Sequence, residues 1–205
     1  RQLQGVMEHS GLQAEDALLE KARRRGASAA VILPAAAVVV RDELAGRCRE
    51  PRCENYGLSR GCPPHTAGPE GFRQLVAGYD RALFFHIEVP SEVLYSSDNL
   101  ELFQLLHEVA AGVEGEARKL GWQRAQAFAG DSCKRLFCAA ESECRALRPE
   151  GRCPFAHLAR PSMSGFGIDV GQLMKQAGWE RQRGRLAGTD SAGSTASVSG
   201  LVLLG

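Results

Sequence analysis

The seven cysteines of this chain fall in two short segments, Cys48, Cys53 and Cys62 in one and Cys133, Cys138, Cys144 and Cys153 in the other, with none elsewhere in its 205 residues. Both segments are crowded with Gly, Pro and charged residues, so each reads as a long loop that the rest of the chain must support. An odd count in a chain of this length does not suit the paired framework of a small secreted domain. In a reducing compartment such clustering points to metal binding or catalysis. The chain opens at Arg1 with no apolar signal-like run, and no stretch approaches the roughly 20 apolar residues that span a bilayer. The expectation is therefore a cytoplasmic protein with no membrane span. A formal charge of +1 gives no strong pull toward nucleic acid. With 44% hydrophobic residues, the chain can build a core without a metal to staple it.

The remaining segments alternate between strand and helix signals. Leu12 to Arg25 carries Leu12, Ala14, Ala17, Leu18 and Ala22 at helical spacing, and Gly26 follows as a stop. Ala29 to Val40 predicts one or two buried strands broken at Pro34, and Ala82 to Val89 (ALFFHIEV) a further strand. Pro69 to Tyr79 reads as a short helix with Phe72, Leu75, Val76 and Tyr79 inward. Asp98 and Glu101 suggest a capping box for the longest helix, roughly 99–120, whose stripe is Leu102, Leu105, Leu106, Val109 and Val113. Ala125 to Ala129 predicts a short strand, Asp169 a cap for a helix through Ala177, and Leu201 to Leu204 a final strand. Residues 181–199 read as a flexible connection. Together these elements predict one α/β domain over 1–205, with a mostly parallel sheet flanked by helices and two cysteine-rich metal loops.

The spacings are Cys48-x4-Cys53-x8-Cys62, followed by Pro63-Pro64-His65, and Cys133-x4-Cys138-x5-Cys144-x8-Cys153, followed by Pro154. Thiolates are soft ligands that suit zinc or an iron–sulfur cluster. Structural zinc sites use paired C-x2–4-C knuckles, and no C-x-x-C is present. Wide, uneven gaps suit a cluster several ångströms across, and a Pro after the last ligand matches the ending of the bacterial ferredoxin run. Zinc, or thiols that are merely small buried hydrophobes, remain the alternatives. Charged neighbours such as Arg47, Arg49, Arg52, Lys134, Arg135 and Arg152 are poor core residues and would favour thiolate over thiol.

Cys48-Arg49-x3-Cys53-x2-Tyr56-Gly57-x4-Cys62-Pro63-Pro64-His65 resembles the signature of a family of predicted metal-binding proteins of unknown function. The second half agrees: four cysteines, then Arg160-Pro161-Ser162-Met163 and Gly167-Ile168-Asp169-Val170. The resemblance spans roughly Val38 to Gly178, with a family-like strand near Leu201 to Leu204. It implies a bound metal, usually taken to be an iron–sulfur cluster, and it implies no reaction. The chain departs from the family pattern at Ser164-Gly165 and in its wider Cys133-x4-Cys138 gap.

The functional expectation is an iron–sulfur protein with one or two [4Fe–4S] clusters, acting as a redox component. All seven cysteines are candidate ligands. Cys133, Cys138, Cys144 and Cys153 would saturate one cluster; Cys48, Cys53 and Cys62 would leave an open position on another, or share it with His65. A redox partner protein or a small-molecule substrate is implied. The rival readings are a zinc-stapled, non-enzymatic module and a thiol redox sensor. His157 has a weaker claim as a ligand, His86 reads as structural, and Gly57 as turn chemistry. Asp169 is read as a helix cap before a functional acid. No G-x-G-x-x-G, G-x-x-x-x-G-K-[ST], G-x-S-x-G or H-E-x-x-H occurs, so nucleotide binding and the common hydrolases have no support.

Overall fold

A computed structural model describes residues 2–179 and 194–205. Helix α1 (Gln2–Arg24) leads into β1 (Ala29–Pro34), and a 3-10 turn at Ala35–Ala37 follows the break at Pro34. Then come α2 (Asp42–Gly46), α3 (Gly68–Val76), β2 (Arg81–Pro90), α4 (Ser91–Tyr95) and α5 (Asn99–Lys119). Strand β3 (Gln126–Phe128), α6 (Cys133–Phe137), α7 (Val170–Gln176) and β4 (Thr195–Leu204) complete the order.

The sheet is antiparallel throughout, in the order β1-β2-β4-β3, which corrects the expectation of a mostly parallel one. The last residue of β1 pairs with the first of β2, Pro34 with Arg81, and Ala35 N donates to Asp80 O at 2.9 Å. Residues 35–80 are therefore an enlarged hairpin connection that returns to the point it left, and no crossover is made. The misleading signal was burial. Parallel strands read as unbroken apolar runs because helices cover both faces, and this antiparallel sheet is covered on both faces too. Leu83, Phe85, Ile87, Val202 and Leu204 pack with Leu18 and Ala22 of α1 and with Leu106, Val109 and Val113 of α5. Ala82, Phe84, Phe128, Leu201 and Leu203 pack with Phe72 of α3, Leu173 of α7, and Met163, Phe166 and Ile168.

The expected metal loops are not shown as such. Cys133 is the first residue of α6, and among the described residues no three His, Cys, Asp or Glu side chains are grouped to hold a single metal ion. Two local expectations also change. Asp98 precedes α5 in helical conformation without capping it; its own N–H donates to Ser96 Oγ at 3.1 Å. The final strand begins at Thr195 rather than Leu201, so residues 195–199 are paired strand; the rest of the expected flexible connection, 181–193, lies outside the described residues. Leu12 and Ala17 are exposed, and Leu18 and Ala22 carry the buried face of α1. The buried stripe of α5 is as the spacing predicts, with Leu105 partly buried. No helix among the described residues is long and apolar enough to cross a membrane.

Gly200 shows how tightly the central pair is built. It stands opposite Phe85, and a Cβ added to it would lie 2.4 Å from that ring. Gly200→Ala is expected to destabilise the protein by about 1–3 kcal/mol through overpacking. Gly115→Ala on α5, where nothing lies within 4 Å, should stabilise by about 0.5–1 kcal/mol through helix entropy. Denaturant midpoints of both variants check the pair, and equal effects would remove the packing argument.

Candidate metal centre

Two segments leave the sheet and meet beside it. The first is moored through its start. Arg41 N donates to Gly167 O at 2.8 Å, Asp169 N donates to Val39 O at 2.9 Å, and Val40 bridges Ile168. Gly167 has φ +70°, and a Cβ there would lie 2.3 Å from Arg41 O, so only glycine permits this approach. Asp169 caps α7 by accepting from Gln172 N at 2.9 Å, and its other oxygen accepts from Arg41 Nε at 2.6 Å. Burial raises its carboxyl, but the Gln172 amide and Arg41 outweigh this and hold it below the usual range. Asp169 is a cap and a mooring point, as its position before α7 predicts.

Beyond α2 the chain winds through successive turns. Cys53 N donates to Cys48 O, Tyr56 N to Cys53 O, and His65 N to Cys62 O, each at 3.0 Å. Gly57, at φ +81°, sends its N–H to Pro63 O at 2.8 Å. These bonds bring Cys48, Cys53 and Cys62 to one cavity of about 490 Å3. Tyr56, Ser132, Ser162, Ser164, Ile168 and Asp169 share its wall, so the P-S-M and G-I-D-V motifs both reach this cavity.

The second segment, residues 130–161, closes on itself: Ala129 N donates to Pro161 O at 3.0 Å and Met163 N to Ala129 O at 2.9 Å. Lys134 is buried on α6, and its ammonium donates to Cys138 O at 2.7 Å and Glu141 O at 2.5 Å, clamping the following turn. Arg135 pairs with Asp131 and reaches Asn99 Oδ1 at 3.2 Å. Cys133, Cys144 and Cys153 come together on a second cavity of about 330 Å3, with Thr66, Arg160 and His65. Cys138 stands outside that lining but close enough to Cys144 and Cys153 for charge repulsion to be felt.

His65 is thus on the second cavity and not on the one its sequence neighbour Cys62 lines. Its Nε2 lies 3.2 Å from Gly57 O, so this nitrogen carries the proton. Among the described residues, no histidine lines the first cavity. His157 lines neither cavity.

All seven cysteines are free. Burial pushes the Cys133 thiol up to about 12, opposed by Ser59 and reinforced by Cys62, Cys153 and Cys144. Burial also raises Cys48, with Cys53 and Cys62 adding to it, and raises Cys138, with Cys153 and Cys144 adding. Buried donors without a hydrogen-bond partner stand on the walls of both cavities: Ser132 Oγ on the first, Thr66 Oγ1 and Arg160 Nε on the second. An anionic cofactor that accepts O–H and N–H donors fits this donor set.

A buried polar network that sequence reasoning missed holds the wall in place. His107 is 0% exposed; Nε2–H donates to Gly130 O at 3.0 Å and Nδ1 accepts from Arg160 N at 3.0 Å. Arg160 Nη2 pairs with Glu114 Oε2 at 2.6 Å, and Glu114 Oε1 accepts from Ala127 N at 2.9 Å. The available signal was that His107 and Glu114 lie one heptad apart inside the apolar stripe of α5, where a polar residue needs a partner.

A family model described as predicted metal-binding protein (DUF2284) matches residues 31–204, so the chain belongs to that family. No curated protein and no solved structure matches it.

Burial lowers the His107 pKa from 6.5 to about 4, and Arg160 pushes it the same way. The folded protein keeps this ring neutral where the unfolded chain protonates it, so stability falls as pH drops from 6.5 toward about 4. The loss from this group is of order 3 kcal/mol. Chemical denaturation across that window should show a shallower decline for His107→Gln than for wild type; parallel curves would remove His107 as the cause.

Proposed function

We propose that this member of a metal-binding family is a redox protein with two [4Fe–4S] clusters, one in each cavity. Cys48, Cys53 and Cys62 would hold the first; Cys133, Cys144 and Cys153, completed by Cys138, would hold the second. The observation that carries the reading is the arrangement of the thiols, three around each of two cavities, of about 490 and 330 Å3, with unpartnered donors on their walls. A tetrahedral zinc, with Zn–S bonds of about 2.3 Å, asks for sulfurs only about 3.8 Å apart. Spaced thiols around an open volume suit a cofactor several ångströms across.

Such clusters exchange single electrons, and an iron that lacks a protein thiolate can also polarise a bound ligand. The chain's own residues divide these tasks. Three cysteines on the first cavity would leave one position without protein thiolate, and Ser132, Ser162 and Ser164 line the same space, where a small-molecule substrate would bind. Four cysteines serve the second, whose Thr66 and Arg160 donors would stabilise added negative charge. A partner protein or small donor supplies the electrons, in a reducing cytoplasm.

Anaerobically purified protein should be brown, with broad absorption near about 400 nm and acid-labile sulfide. Cys53→Ser and Cys144→Ser should each remove about half of the iron, because each empties one cavity. A colourless protein with stoichiometric zinc and no sulfide would sink the proposal. Loss of all iron from either variant would show one shared site instead.

A further inference from the structure

The two cavities share a wall one residue thick. Gly61 lines the second and Cys62 the first; Cys133 lines the second and Ser132 the first; Pro161 lines the second and Ser162 the first. Three chain crossings therefore make the partition, and at each of them consecutive residues face opposite sides. The crossings are bound together: Ser162 N donates to Gly61 O at 3.0 Å, and Ala129 N holds Pro161 O at 3.0 Å. All three meet at Gly61, where the position of a Cβ would stand 3.4 Å from both Cys133 Sγ and Pro161 Cα, in van der Waals contact. Two of the three crossings carry a proposed ligand, Cys62 from one site and Cys133 from the other.

We propose that the partition couples the two centres into one two-electron unit. Resting on the cluster reading above, it gives those clusters a joint role that neither cysteine group implies alone. Cys133 Sγ stands 3.4 Å from the position a Cβ would take on Gly61, the residue before Cys62, and the charge of Cys62 is felt at Cys133, so the wall leaves the ligands of the two sites close enough to interact. With both groups bound, transfer between them would move one electron from the reduced centre to its neighbour, with no bond made or broken. A donor that gives one electron at a time can then fill both centres. The open first cavity would then present both electrons to a bound substrate that takes up an electron pair together with two protons from solvent. The assigned class of reaction is thus a two-electron reduction at the three-cysteine cavity, fed through the four-cysteine one.

The test is electron paramagnetic resonance of the fully reduced holoprotein at two microwave frequencies. Two coupled spins should give splittings that stay constant in field as the frequency changes, with integrated intensity approaching two spins per chain. Cys53→Ser and Cys144→Ser, each reduced alone, should give simple uncoupled signals whose sum does not reproduce the wild type. A wild-type spectrum equal to that sum, with no frequency-independent splitting, overturns the coupling and leaves two independent clusters. Should the variants not fold, the wild-type splittings decide alone. A protein without iron and sulfide fails at the earlier step, which elemental analysis separates from this one.

Discussion

Strands β2 and β4 are buried on both faces along most of their length, and that constraint dictates where everything polar can go. An interior filled by Phe84, Phe85, Leu83, Leu201 and Val202 has no room for a charged, cysteine-bearing turn. Both cysteine segments therefore leave the sheet and return to it without entering a strand pair. The first returns at Arg81 opposite its own departure point; the second closes through Ala129 and Pro161. Both are carried on the same side of the sheet, where the Met163–Phe166 turn gives Ser164 to the first cavity and Phe166 to the second, and so they meet.

Meeting is not enough to hold them. Segments rich in arginine and glutamate gain little from exposed ion pairs such as Arg145–Glu141, which contribute about 0.2–1 kcal/mol each. The fixed point is the almost fully buried Arg160–Glu114 pair with His107 behind it. Its value as net stabilisation is small, since desolvation offsets much of the attraction. Removing one partner, however, would strand the other at a cost of about 3–5 kcal/mol. The network thus acts as a registration device. It sets Arg160 in one place, and Pro161 and Ser162 follow it into the wall between the cavities. The neutral His107 ties the same segment to Gly130, at the other mouth of the excursion.

Much of the fold was legible locally. The stripe on α5, the break at Pro34, the cap at Asp169 and the stop at Gly26 all rest on interactions within a turn or two of chain. At this range sequence spacing is geometry. The failures were equally physical. Asp98 stands directly before a helix that starts at Asn99, where a cap belongs, yet its side chain caps nothing and its own N–H donates to Ser96 Oγ. Thr195 to Ser199 look like linker because small polar residues dominate them, but Ser199 and Gly200 fit under His86 and Phe85 across the ladder.

The sequence by itself determined that seven cysteines stand in two groups, that each group lies in an irregular polar segment, and which apolar residues make a core. Those properties depend on composition and short-range periodicity. Only the tertiary structure decided strand direction, because antiparallel and parallel sheets covered on both faces have the same apolar pattern, and direction depends on where a long connection returns. The same holds for the site. His65 follows Cys62 by three residues yet faces the other cavity, while Ser132, Ser162 and Ser164 reach the first one from far along the chain. Which side of a one-residue wall a side chain faces is set by the partners on each side, and those partners come from far along the chain.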